Sequence, residues 1–357
     1  MKILFLPKYD TLGASSRYRI FQYINLYEGN EILCKVLPMF SNNYIKNLES
    51  NNKYQILWYT IVGVVRRLFH FLYIFKYDLV YIEKEFIPYI PPLYEFLLSL
   101  LGKKYILDYD DAIFEYYNHG RSIYHRIFLR NKIPYILKNS SAVITGSPYL
   151  TKYCKQFNNN VYEIPTSIDI DKYELIPHSS ERFTIGWIGG RASSVHLVSI
   201  IDVLVKFLNE HDNVYLNLIG FNKSLLDVRL LRNRKIRIVA WDERTEIQEL
   251  NDMSCGIMPL KNTLIADGKC GFKLIQYMAC AKTTIASPFE ANLKIGKKNN
   301  KLFASTEDEW IECLESIYQN IDKYNEIGIN NRETVRTMYS IQSNAKFYIG
   351  IFKQIIG

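Results

Sequence analysis

The sequence is short of the residues that announce metal or redox chemistry. Its 357 residues include six cysteines and six histidines. Cys34, Cys154, Cys255, Cys270, Cys280 and Cys313 are scattered with no CxxC pair. That argues against a structural zinc site or a disulfide framework, and for a reduced, cytoplasmic chain. No charge-free apolar run reaches 18 residues, so a spanning helix is not expected. The opening MKILFLPKYD offers only five apolar residues before Lys8, too few for a signal peptide and enough for a first buried strand. Low-complexity tracts, short repeats and a basic tail are all missing. The net charge of +8 divides into +5 over residues 1–180 and +3 beyond. Such a spread does not suit a nucleic-acid arm. An anionic small molecule or an acidic membrane surface fits it better.

What is present is globular composition, 48% hydrophobic and 22% charged, in a chain long enough for two domains. Short β-rich runs read as strands: KILFL, EILCKVL, DLVYI, KKYIL, SAVIT and NVYEI, then FTIGWIG, VYLNLIG, IRIVA, CGIMPL and TTIAS. Helical periodicity lies between them, including Ser15–Tyr27, Gln55–Phe75, Leu93–Leu101, Ser122–Leu137, Ser194–Asn209 and Phe272–Ala279. Continuous apolar strands alternating with helices predict an α/β fold of parallel sheets covered on both faces. The polar, proline-bearing stretch Ile164–Phe183 reads as a linker between two such domains. Two apolar stretches, Tyr54–Lys76 and Phe86–Lys104, allow two readings: core helices, or a surface that dips into a bilayer interface with basic groups above aromatic ones.

In open parallel sheets ligands bind beyond the carboxyl ends of the strands, so chemistry is expected in the loops there. Four stand out. After the first strand, Gly13, Ser15, Ser16 and Arg17 open a helix. They read as an anion site or as simple capping with a surface arginine. After KKYIL come Asp108, Asp110 and Asp111. Such a cluster is costly unless solvated, paired or functional. It suits a sugar hydroxyl or an acceptor, a helix cap, or less well a divalent metal. The run Gly186-Trp187-Ile188-Gly189-Gly190-Arg191-Ala192-Ser193-Ser194 has the strand, glycines, arginine and helix that cradle phosphate. It is neither GxGxxG nor followed by a Walker lysine, which disfavours an NAD site or an ATPase. His196, just beyond, reads equally as packing or ligand. Finally, Gly268, Lys269, Gly271, Phe272, Lys273 and Gln276 form a glycine-bearing loop entering a helix. There the two lysines, four apart, could face one anion with Gln276 on the same side.

The segment GKCGFKLIQYMACAKTTIASPFEANLKI resembles the donor-binding segment of family 4 (group 1) glycosyltransferases, which have the GT-B fold. Gln276 to Ala281 matches the family's Glu-Ala-Met-Ala-Cys-Gly helix, and Ile285 to Pro288 the following strand end. GWIGG resembles the first loop of the nucleotide-binding domain. CGIMPL, with Pro259, resembles the strand ending in an acidic or proline-bearing turn. YSIQSNAKFYIGIFKQI resembles the final helix that crosses back. The resemblance implies two Rossmann-like domains with a cleft between them: residues 1–170 on the acceptor side, 171–338 for the nucleotide-sugar, and 339–357 as the returning helix. It implies a retaining, metal-independent transfer from a nucleotide-sugar, without a cofactor, to a glycan or lipid-linked acceptor. Surface polysaccharide synthesis at the inner face of the membrane, through peripheral contact, is the expected setting. Nucleic acid is not an expected partner. Catalytic roles fall to Asp110, Asp111, Arg191 and Lys273. Donor contacts fall to Gly13, Ser15, Ser16, Arg17, Gly189, Gly190, Ser193, Trp241, Pro259, Lys269, Gly271, Phe272 and Gln276, with Trp241 either beside the base or plain core. The chain departs from the family at Gly268 and Gln276, where two glutamates are usual. A nucleotide-sugar 2-epimerase and a non-catalytic nucleotide-sugar-binding subunit are the alternative readings.

Overall fold

The computed structural model describes residues 1–50, 52–120, 122–176, 182–296 and 302–357. Of the expected linker Ile164–Phe183, residues 177–181 lie outside the described residues. The chain divides into two compact units. One comprises Met1–Ser167, Asp267–Cys270 and Ile341–Gly357; the other comprises Ile168–Ala266 and Gly271–Ser340.

The first unit carries β1 (Lys2–Leu6), β2 (Leu33–Val36), β3 (Leu79–Glu83), β4 (Tyr105–Tyr109), β5 (Ala142–Thr145) and β6 (Val161–Glu163), in spatial order β2-β1-β3-β4-β5-β6. All neighbours are parallel. Because side chains alternate across a pleat, each strand feeds two cores. Leu4, Leu6, Val80, Ile82 and Leu107 enter one; Ile3, Phe5, Leu79, Tyr81 and Ile106 enter the other. That explains why these strands read as unbroken apolar runs. The second unit carries β7 (Phe183–Ile188), β8 (Val214–Ile219), β9 (Ile236–Val239), β10 (Cys255–Met258) and β11 (Thr283–Ala286), in order β11-β10-β7-β8-β9 and again parallel. Each of the eleven runs expected to form strands overlaps one, with β3 extending to Glu83 and β4 through Asp108 to Tyr109.

The helices that bear on the site and on the surface of the first unit are α1 (Ala14–Arg19), α2 (Lys53–Tyr73), α3 (Leu93–Leu100), α4 (Ser194–Val198), α5 (Glu246–Asn251), α6 (Phe272–Ala279) and α7 (Ile341–Ile356). Several expected helices are broken. Ser15–Tyr27 is interrupted at Ile20, whose φ of −127° leaves the helical region, and continues as a tight turn and a short helix. Ser194–Asn209 breaks at Ile200, and its two pieces meet at 63°. Both stretches are amphipathic throughout, so periodicity alone does not register a one-residue break. Helix α7 closes the second core of the first sheet, where Tyr348 and Phe352 pack against Tyr23, Tyr27 and Phe5.

Neither apolar stretch is a fully enclosed core helix, although Phe86, Ile87 and Leu98 of the second belong to the core. Among the described residues, Lys53–Lys76 is the one single helix long and apolar enough to cross a membrane, and its most apolar window is only 17% buried. Most of its large apolar side chains, and Leu93, Phe96 and Leu100 of α3, face solvent, while Phe71 and Leu98 pack into the core.

Candidate functional site

In the first unit the carboxyl ends of β1, β3 and β4 meet in a polar cluster. Ser15 and Ser16 do not cap α1, whose N-cap Gly13 receives no side-chain hydrogen bond. Their hydroxyls instead donate to Asp110 and Glu83, respectively. Ser16 Oγ also accepts from the Tyr9 amide at 3.0 Å, and Glu83 Oε2 accepts from the Lys8 amide at 2.8 Å. Gly13 belongs here for close approach: a Cβ would fall 2.3 Å from Tyr9 Cβ. Arg17 lies over the Tyr18 ring and donates to the Thr11 carbonyl.

Each of the three aspartates has its own cation. Asp108 is buried against Arg19, whose Nε and Nη2 contact Oδ1 at 3.0 and 2.7 Å, while Nη1 donates to the Ile164 carbonyl. That pair joins β4, α1 and the chain after β6, and it is structural. Asp110 faces Lys84, with Nζ 3.0 Å from Oδ1 in an ionic contact without aligned hydrogen-bond geometry. Asp111 faces Lys269 at 3.2 Å. Among the described residues no group of three or more histidines, cysteines and carboxylates is arranged to hold a metal ion.

Burial alone would raise the Asp110 pKa, but Lys84 and the Ser15 hydroxyl outweigh it and bring the value to about 2. Burial likewise opposes charge on Lys84. The carboxylates of Asp110, Asp111 and Glu83 prevail, and its pKa is raised. Glu83 goes the other way: burial raises it, against Lys84, and its Oε1 has no hydrogen-bond partner. A carboxylate held as acidic as Asp110 is a weak base and a durable hydrogen-bond acceptor. Lys84 sits at φ +65°, a left-handed conformation that costs a residue with a Cβ on the order of 1 kcal/mol or more. Sequence reasoning missed Glu83 and Lys84. The available signal was Glu83-Lys84-Glu85, three charges at the end of a fully buried strand. Glu85 turns away to pair with Lys132 at 2.6 Å.

In the second unit two motifs about eighty residues apart in sequence converge on one indole. Trp187, the penultimate residue of β7, is fully buried. Lys273, in the first turn of α6, places Nζ 4.2 Å from the centre of the Trp187 ring. A Cβ on Gly189 would fall 2.7 Å from the same ring. Glycine is therefore required at 189 by packing, and Lys273 and Gly189 share the Trp187 ring as a neighbour. The Gly189 amide itself donates to the Ile219 carbonyl at 3.0 Å, so it is not available to a phosphate. Gly190 is open; a Cβ there would meet nothing within 4 Å. Arg191 is exposed in a single 3₁₀ turn. The hydroxyls of Ser193 and Ser194 return to the Gly190 carbonyl, and α4 is only five residues long. The turn is thus stiffened by its own serines rather than continued as a long helix with a strong dipole.

Lys269 and Lys273 do not share a helix face. α6 begins at Phe272, and the preceding Gly271, at φ +68°, turns the chain through a left-handed conformation. Lys269 groups with the first unit and Lys273 with the second. Gln276 is buried and donates to Glu246 Oε1 at 2.9 Å. The other Glu246 oxygen accepts from the Trp241 indole nitrogen, and the Tyr173 hydroxyl is 3.3 Å away from Oε1. Trp241 is half-buried and hydrogen-bonded, not plain core. Glu246, on α5, was missed by sequence reasoning because nothing local marks it among Glu243, Glu246 and Glu249. Pro259 is buried directly after β10, and the loop it opens is tied down where the Lys261 amide donates to His196 Nδ1 at 3.1 Å. His196 is therefore a tether. Phe272 is half-buried at the start of α6.

No protein-family model matches the chain, and no curated protein matches it in sequence. Solved structures do match over nearly its whole length. A glycosyltransferase from Rickettsia africae superimposes with a TM-score of 0.70 at 14% identity, covering 99% of this chain and 98% of that one. Sucrose-phosphate synthase from Thermosynechococcus elongatus gives 0.69 at 12% identity, with 99% of each chain covered. HepE of Anabaena, solved in complex with UDP and glucose, gives 0.67 at 14% identity, with 99% of each covered. The chain has the GT-B fold.

Proposed function

We propose that the chain is a glycosyltransferase that moves a sugar from a nucleotide-sugar donor to a hydroxyl of a glycan or lipid-linked acceptor. The observation that carries this reading is the convergence of Lys273 and the Gly189-Gly190 turn on Trp187. A cation and an open glycine turn beyond the carboxyl end of a central strand suit a diphosphate. The fold shared with HepE, whose structure holds UDP and glucose, supports the same ligand class.

In this reading the barrier is departure of the nucleoside diphosphate while positive charge builds on the sugar ring. Lys273, Arg191 and the amides of Gly190 and Phe272 stabilise the leaving group. Trp241 and Glu246 lie toward the nucleoside, with Glu246 supplying the carboxylate that Gln276 lacks. The first unit holds the acceptor. Asp110, ionised and positioned by Lys84 and Ser15, accepts a hydrogen bond from a sugar hydroxyl and orients it, and Asp111 assists. The resemblance of the segment 276–288 to retaining transferases favours a retaining course, in which the departing phosphate takes the acceptor proton.

The test is a thermal-shift screen of nucleoside diphosphates and their sugar conjugates, followed by product analysis. A nucleoside diphosphate should raise the melting temperature, and Lys273→Ala and Arg191→Ala should weaken that shift. If both variants respond as the parent does, the phosphate assignment is wrong. Conversion of the donor without any acceptor would instead indicate an epimerase.

A further inference from the structure

Helix α2 is built inside out. A helix lying on a sheet normally turns its apolar stripe inward and its charges outward. In α2 the inward positions are Gly63, Arg67 and His70, all buried. The Arg67 guanidinium donates to the carbonyls of Leu37 and Pro7. The outward stripe holds Trp58, Ile61, Phe69 and Leu72 at helical spacing, with Trp58 62% and Phe69 63% exposed. Helix α3 repeats the inversion. Its one charge, Glu95, is buried and accepts from the Phe86 amide at 2.8 Å, while Leu100 is 69% exposed. The turn His125–Leu129 buries Leu129 but leaves Ile127 66% exposed.

The three elements lie on one side of the first unit's sheet. Phe71 and Ile74 from α2 and its end, Leu98 from α3 and Leu129 from the turn all enter the same core. Phe71 and Tyr94 meet with ring centres 5.4 Å apart, and the Tyr124 hydroxyl donates to the Tyr89 carbonyl at 3.2 Å, just before α3. The charges on this face have one sign. Lys53 to Lys76 contains four lysines and arginines and no acid. Residues 122–132 contain Arg126, Arg130 and Lys132 and no acid, with both arginines exposed. A second copy docked here would bring cations against cations. A surface that is apolar below and anionic above would satisfy both features at once.

We propose that this face of the first unit docks on an anionic lipid bilayer. The outward stripes of α2, α3 and the 122–130 segment sink to the level of the acyl boundary, and Lys53, Arg66, Lys76, Arg126 and Arg130 meet the lipid phosphates. The helix lies in the interface and does not span, because Arg67 in its centre is bonded into the unit's own backbone. This inference goes beyond the glycosyl-transfer reading and does not depend on it.

The experiment is co-sedimentation of the full chain with vesicles of phosphatidylcholine alone and of phosphatidylcholine with phosphatidylglycerol. Binding is expected to the anionic vesicles and to weaken with salt. The double variant Trp58→Ser/Phe69→Ser should lower partitioning at least tenfold. Arg126→Gln and Arg130→Gln should each lower it about fivefold on anionic vesicles, with no effect on neutral ones. All four positions are exposed, so melting temperature and the nucleoside-diphosphate shift should be retained, which separates loss of docking from loss of fold or of donor binding. No sedimentation with anionic vesicles overturns the proposal. So does a dimer in light scattering that Trp58→Ser dissociates, because the face would then belong to a second copy.

Discussion

The two units share a plan and differ in the sign of what they gather beyond their strands. The first collects carboxylates, Glu83, Asp108, Asp110 and Asp111, and gives three of them a dedicated cation. The second sets a lysine and a glycine turn against one indole, with Arg191 exposed in the adjoining 3₁₀ turn. The difference teaches that a charged cluster at strand ends has to be divided before it is interpreted. Asp108 holds the fold together; Asp110, two residues on, is pinned within a polar cluster and is the better candidate for touching a ligand.

That division breaks most visibly at Arg19. Arg19→Met leaves Asp108 buried without its ion pair, and denaturant melts should show a loss of about 3–5 kcal/mol. A near-neutral result would place Asp108 among ligand-binding groups. Lys273→Ala makes the opposite test: little change in unfolding free energy, and a fall of about 10²–10³ in kcat/KM with a nucleotide-sugar, equivalent to about 3–4 kcal/mol of transition-state stabilisation. If stability falls as far as it does in the Arg19 variant, the lysine is structural and the contrast fails.

Asp110→Asn sharpens the comparison through pH. The folded pKa of about 2 lies below the ordinary 3.8, so the stabilisation from ionised Asp110 is present above pH 4. It is lost as pH falls towards 2, and is worth about 2 kcal/mol. Parent and variant melts should therefore converge in acid and separate near neutrality. The smallest effect is expected at Gly271. Its φ of +68° makes Gly271→Ala cost about 1–2 kcal/mol, and a Cβ there would also press on Ile295 Cδ1 at 2.3 Å. A neutral melt would show that the turn into α6 relaxes.

Much of this was legible beforehand. The strands were readable because burial on both faces demands unbroken apolar runs, as in Leu79–Glu83 and Phe183–Ile188. Gly189, Lys273 and Gln276 could be picked out as candidates from their setting, strand then glycine then helix. Their partners were not. Nothing near Gln276 in sequence points to Glu246, and nothing near Lys273 points to Trp187. The i,i+4 pairing expected of Lys269 and Lys273 failed because helical spacing has no meaning across the left-handed turn at Gly271. The amide of Gly189 was expected to serve a ligand, yet the sheet ladder extends one residue further and takes it.

The amino-acid order alone determined the α/β alternation, the eleven strands and the loops in which chemistry could sit. Each follows from local periodicity and from the backbone freedom of glycine. Only the tertiary structure decided which aspartate takes which cation, that Glu83 and Lys84 join them, and that α2 turns its tryptophan outward and its arginine inward. Those outcomes depend on side chains brought together from distant strands. A helix's apolar stripe looks the same in sequence whether it faces a sheet or a bilayer.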